Sequence, residues 1–147
     1  MDDHAEIIEL FGKYADIADL KEFTDLPGLV FTDPVTLDFS SVAGIPVMTV
    51  PLAEYVEILR GSFAAFAATH HVITGHVVKI DGDHATIHAH VRAEHWLPGD
   101  GPDSWLVVGN YDNEAVRTPA GWRLSHVKLT ASHQQNAHLA SAAVAPG

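Results

Sequence analysis

The chain has 147 residues, enough for one domain with a substantial core, since a domain of this length buries roughly 70% of the surface that its unfolded chain exposes. Hydrophobic residues make up 47% and charged residues 18%, and cysteine is absent, which excludes disulfides, thiolate catalysis and zinc-thiolate sites. Nineteen acidic against eight basic side chains leave a formal charge of −11 with no Lys/Arg cluster, so no nucleic-acid partner is expected, and no apolar run approaches the roughly 20 residues of a membrane span.

The opening MDDHAEIIEL is acidic and amphipathic, opposite in character to a secretory signal, and a cytoplasmic location is the expectation. Over residues 3–20, Ile7, Phe11, Tyr14, Ala15 and Ala18 recur at helical spacing, with Glu6, Glu9, Lys13 and Asp16 on the other side. A second, short helix is expected around Phe23 to Phe31, interrupted near Pro27 and Gly28 and closed by Asp33-Pro34. Val35, Leu37 and Phe39 then alternate with polar residues as in a half-buried strand, and a loop of small residues follows. Pro51 to Ala68 carries Leu52, Val56, Leu59, Phe63 and Phe66 on one face of a third helix, with Thr49 as its expected cap.

From His70 the pattern changes to β-rich runs: His70 to Ile80, His84 to Leu97, Trp105 to Arg117, and Trp122 to Thr130. Asp81-Gly82-Asp83 and Thr118-Pro119-Ala120-Gly121 are hairpin signals, and Pro98 to Asp103 is a longer loop. Helices first and an antiparallel meander after is an α+β order. The reading is one domain over 1–147, with 136–147 a small-residue tail or lid.

The order and spacing of several pieces together resemble the SnoaL-like branch of the nuclear transport factor 2-like superfamily, which includes scytalone dehydratase. They are Tyr14-Ala15-Asp16 with Asp19, Phe31 through Leu37-Asp38-Phe39-Ser40, Ala68-Thr69-His70-His71, Asp81-Gly82-Asp83-His84-Ala85, Gly109-Asn110-Tyr111, and Arg117 through Arg123. The resemblance implies a cone: a curved antiparallel sheet wrapped around three N-terminal helices, with a pocket inside. It also implies a homodimer or higher homo-oligomer. Its catalytic positions look like Asp19, His71 and His95, with Asp19 and His95 as a hydrogen-bonded dyad that removes a proton and His71 as acid or oxyanion donor. The positions of the dehydratase's two tyrosines are Ala18 and Phe39 here, a departure from the family pattern, and Tyr14 and Tyr111 are the hydroxyls available elsewhere.

Physical chemistry supports such a pairing. A carboxylate bonded to one imidazole nitrogen fixes the tautomer and makes the other nitrogen a stronger base. In the run His84 to Leu97, Ala89, Val91, Ala93 and His95 share one strand face, as a pocket wall ending in one polar group would require. Tyr14, Phe39, Val91 and Tyr111 are the expected substrate-binding residues. The opposite face holds His88, His90 and Glu94, which together with Gly82 and Gly101 have the spacing of a first cupin metal motif. A second cupin motif is missing and helices precede the sheet, so this face reads as a polar outer surface, suited to a dimer contact, and no metal or organic cofactor is expected. The function expected is a cofactor-independent dehydratase, isomerase or cyclase acting on a small, mostly apolar carbonyl compound. The alternative is a binding protein using the same cavity; a subunit assembled through the outer sheet face is a third reading.

Overall fold

The computed structural model of the protein describes residues 1–99 and 104–140. Helix α1 (Asp3–Asp19) opens on Asp2, whose carboxylate accepts the Ala5 N–H at 2.7 Å, and buries Ile7, Leu10, Phe11, Ile17 and Ala18. It ends in a Schellman turn: Glu22 N–H reaches Ile17 O at 3.1 Å and Lys21 N–H reaches Ala18 O at 3.3 Å, with Lys21 left-handed at φ 53°. That conformation is uncommon for a residue with a Cβ. Lys21 Nζ donates to Phe66 O at 3.0 Å, which ties the turn to the segment just after the helix Leu52–Ala64. Asp19 is thereby held on the final helical residue, facing the sheet.

A short helix α2 (Leu26–Val30) follows, and Pro27 lies in its first turn, where a missing N–H costs nothing, instead of interrupting it. Strand β1 (Phe31–Asp38) leads to a single helical turn α3 (Ser40–Ala43) and strand β2 (Met48–Val50), both within what reads as loop from sequence. Helix α4 (Leu52–Ala64) starts on Pro51, but its free Leu52 N–H is taken by Asp33 Oδ1 at 2.9 Å, not by Thr49. Thr49 sits in β2, where its hydroxyl meets that of Thr36 at 2.9 Å. Four helical segments therefore precede the long strands, not three.

The long strands β3 (Ala68–Asp81), β4 (His84–Trp96), β5 (Ser104–Thr118) and β6 (Gly121–Gln135) form the expected antiparallel meander, and a 3₁₀ turn (Ala137–Ala140) follows. Residues 141–147 of the expected tail and 100–103 of the expected loop lie outside the described residues. The six strands run in the order β2-β1-β6-β5-β4-β3, and β1 pairs with β6 in parallel, so the sheet is mixed at that edge. Register shifts between Thr74 and Val77 in β3, and at Val108/Gly109 and Glu114/Ala115 in β5, bend the strands. The sheet curves around α1 and α4 into an α+β cone. Gly109 lies at one of these bends, and a Cβ added there would run into Thr130 O and Ala131 Cα, so a methyl group has no room. Gly109→Ala is expected to cost roughly 2–3 kcal/mol of stability, read as a lower urea midpoint.

The inward residues of β4 alternate in burial along the strand, placing Ala89, Val91, Ala93 and His95 inside with Tyr111, Trp122, Leu124 and Val127 of the neighbouring strands. Among the described residues no helix is long and apolar enough to cross a membrane.

Candidate active site

Between the concave sheet and α4 lies a cavity of about 180 Å³. Its wall is apolar for the most part, with Phe39, Leu59, Phe63, Val91 and Val107 among its residues; besides the Ser62 hydroxyl on α4, its polar side chains include two sets. Tyr14, Tyr55 and Tyr111 make one; His71 and His95 make the other.

Asp19 stands behind His71. Its Oδ1 accepts from His71 Nδ1 at 2.7 Å and from Thr69 Oγ1 at 3.0 Å, while its Oδ2 accepts the backbone N–H of His71 at 2.8 Å. The His71 side chain is 7% exposed and that of Asp19 14%. Burial works to raise the Asp19 carboxyl, but the hydrogen bonds from His71 and Thr69 outweigh it and hold the group below its ordinary value. Asp19 is therefore a carboxylate at neutral pH, His71 carries its proton on Nδ1, and Nε2 bears the lone pair on a ring that lines the cavity.

His95 is wired differently. The sequence reading pairs it with Asp19; instead its Nδ1 faces the carbonyl oxygen of Trp105 at 2.9 Å. A carbonyl only accepts, so His95 donates from Nδ1 and Nε2 is again the unprotonated nitrogen. The reason is register: Thr69 lies opposite His95 and His71 opposite Ala93, so β3, the strand next to the end of α1, brings His71 to Asp19 first. The two imidazoles still meet edge to face, 5.6 Å apart. His95 is packed against the Trp105 ring at 4.2 Å and the Phe66 ring at 5.2 Å. This burial lowers its pKa from 6.5 to about 4, despite the Trp105 carbonyl, which works the other way.

That shift has a consequence for folding. Below pH 6.5 the unfolded chain takes up a proton that the fold refuses until about pH 4. The stability tied to His95 is thus complete above pH 6.5 and falls by about 3 kcal/mol as the pH drops to 4. Urea midpoints measured from pH 7 to pH 4 should show this slope in the wild type, and it should flatten in His95→Gln.

Tyr14, Phe39, Val91 and Tyr111 all line the cavity, with His71 and His95. Sequence reasoning passed over Tyr55, Trp105 and Thr69. Tyr55 lies on the inner face of α4, where its spacing from Leu59 marks it as inward but not as polar lining. Trp105 marks the start of a β run in the sequence; in the fold it packs against His95, lines the cavity and holds His95 by its carbonyl. Thr69 is marked by nothing in the pattern. On the outer face His88 bonds Asp112 at 2.8 Å, and the Glu94 carboxylate lies 3.8 Å from Arg92 Nε. Among the described residues no three His, Asp or Glu side chains are arranged to hold a metal ion.

Comparison with known proteins agrees with this architecture. The crystal structure of the Kfla4162 protein from Kribbella flavida superposes with a TM-score of 0.91 at 76% identity, over 94% of this chain and 96% of that one. A candidate scytalone dehydratase from Novosphingobium aromaticivorans gives 0.78 at 16% identity, over 90% and 86% of the two chains. A type 2 hexachlorocyclohexane dehydrochlorinase gives 0.71 at 18%, over 90% and 86%. The last two likenesses show a shared fold. The SnoaL-like domain model matches residues 1–128, so the chain belongs to the SnoaL-like family.

Proposed function

We propose that the protein is a cofactor-independent acid/base enzyme, a lyase or isomerase that removes a proton next to the carbonyl of a small, mostly apolar substrate. The observation that supports this best is the Asp19–His71 pair, bonded at 2.7 Å, with His71 lining a largely apolar cavity. His71 Nε2 takes the proton, and the Asp19 carboxylate stabilises the imidazolium that forms. The electron pair left behind is delocalised onto the carbonyl oxygen, toward a phenol donor. It then expels a group from the next carbon, or collects a proton at a different carbon. The dehydratase and dehydrochlorinase names carried by proteins of the same fold are consistent with the first outcome.

His95 has a different part in this reading. Held neutral, it is a poor acid and a weak base, and its Nε2 accepts a hydrogen bond from a substrate hydroxyl near the His71 proton. The roles assigned by resemblance are thus exchanged: His71 is the base and His95 the positioning partner.

The test does not need the natural substrate. Cyclic ketones, among them cyclohexanone and 3-hydroxycyclohexanone, are incubated with the protein in deuterium oxide and followed by proton NMR. Enzyme-dependent exchange of the protons next to the carbonyl is the expected result. Ketones that bind without any exchange would make the protein a binding module.

A further inference from the structure

The tyrosine end of the cavity is left unused by proton transfer from carbon to His71. Tyr14 comes from α1, Tyr55 from α4 and Tyr111 from β5, three elements that share no local contact in sequence. Their rings meet around Phe31: the Tyr14 ring is 5.6 Å from that of Tyr111 and 5.8 Å from Phe31, and Phe31 is 5.0 Å from Tyr55. Tyr55 is 1% exposed; its hydroxyl lies beside the Tyr14 phenol, but among the described residues it makes no hydrogen bond of good geometry. A fold that buries a phenol without a well-formed hydrogen bond retains an uncompensated desolvation cost, which a ligand oxygen relieves. Burial also raises all three phenols above their ordinary value of 10.0, so they are neutral donors across the physiological range.

Two further features limit what can be seated there. Among the described residues no Lys or Arg lines the cavity, and the Asp19 carboxylate lies just behind its histidine end, so an anionic ligand would be buried without a cation. The volume, about 180 Å³, is close to the roughly 150 Å³ of an apolar cavity that accepts one benzene ring. On the β4–β5 ladder Tyr111 pairs with Ala89 while Trp105 pairs with His95, so the tyrosines and the histidines mark the two ends of the space.

We infer that Tyr55, together with Tyr14 and Tyr111, seats the carbonyl oxygen of the ligand, and that the substrates are uncharged, single-ring carbonyl compounds. This rests on the reading of the cavity as the site of acid/base chemistry. Tyr55 is a specificity-determining residue in this arrangement, since among the three phenols that line the cavity its buried hydroxyl is the one without a well-formed hydrogen bond among the described residues.

Three single-ring probes of similar size separate the possibilities: acetophenone, which offers a neutral acceptor; ethylbenzene, which offers none; and benzoate, which is anionic. Affinities are measured by NMR titration of backbone amides in the wild type and in Tyr55→Phe. Acetophenone should bind roughly five- to ten-fold more tightly than ethylbenzene, as one buried hydrogen bond allows, and more tightly than benzoate. In Tyr55→Phe the preference for acetophenone should shrink to within about two-fold while ethylbenzene is unaffected. The urea midpoint of that variant should be equal or higher, because the hydroxyl removed is buried without a well-formed hydrogen bond. Equal binding of acetophenone and ethylbenzene, a preference for benzoate, or an unchanged preference in Tyr55→Phe would overturn the tyrosine seat. The acid/base reading would survive those results, since the deuterium exchange assay tests it separately. Failure of all three probes to bind at about 10 mM would overturn the seat and the cavity's role together.

Discussion

Asp19→Asn is expected to slow deuterium exchange, and turnover once a substrate is known, by roughly 10³- to 10⁴-fold while leaving the fold intact. The carboxylate accepts from three donors: the Thr69 hydroxyl, the His71 backbone N–H and His71 Nδ1. An amide retains one oxygen. If that oxygen keeps the backbone N–H, the amide nitrogen faces His71 Nδ1, which must become an acceptor, and the ring proton moves to Nε2, the atom that has to act as base. If the amide flips, the buried N–H of His71 confronts a donor, at a cost of about 1–3 kcal/mol in stability. Nitrogen-15 NMR of the histidine side chains distinguishes the two. A proton found on Nε2 of His71 together with the lost activity supports the mechanism. Activity within ten-fold of wild type, with the proton still on Nδ1, would remove Asp19 and His71 from it. The same network sets an acid limit: because the Asp19 carboxyl titrates below its ordinary value, the stability it contributes is complete above about pH 4 and is lost as the pH falls through the lower folded value.

The parts of this site that are visible in the sequence are those set by local periodicity. The 3.6-residue stripe of α1 runs out at Asp19, and the two-residue alternation of β4 turns Val91, Ala93 and His95 inward. The bond between Asp19 and His71 is of another kind. It depends on how the end of α1 meets β3, and a shift of one residue in β3 would present His70, now 68% exposed with Nδ1 3.8 Å from the carboxylate, in place of His71. His95 shows the converse: period-2 places it inside, but the partner of its Nδ1 is a backbone carbonyl, and a carbonyl belongs to no residue type. Asp33 as the cap of α4 escapes for the same reason, because the donor it satisfies lies across a loop. Tyr55 is legible as inward but not as lacking a well-formed hydrogen bond, since that property belongs to the packed interior alone.

The largest loss of stability is expected far from the cavity, at Trp122. It is fully buried on β6, its indole N–H donates to Asp3 Oδ1 at 3.1 Å, and its backbone N–H donates to Glu6 Oε2 at 2.7 Å. Arg117 lies over the ring with its guanidinium carbon 4.7 Å from the centroid and grips both oxygens of Asp3, at 3.0 and 2.8 Å. The Arg117 hydrogen bonds, followed by that of Trp122, lower the pKa of Asp3 to about 2, so the clasp persists in mild acid. One aromatic side chain thus fastens the first turn of α1 to the β5–β6 hairpin. Trp122→Ala should cost roughly 3–5 kcal/mol, from the lost buried area and the cavity that remains. That is a large share of the roughly 5–15 kcal/mol by which a domain is normally stable. Trp122→Phe keeps most of the volume and should cost about 1–2 kcal/mol. Urea unfolding reads both as shifts in midpoint. The lower urea slope of a loosened native state, seen with Trp122→Ala and not with Trp122→Phe, would mean that α1 has come away from the sheet. Because α1 also carries Asp19, loosening at its start should then appear at its end, as loss of the Nδ1–H signal of His71. A variant that unfolds earlier but keeps that signal until the main transition would show that the two ends of the helix are anchored independently.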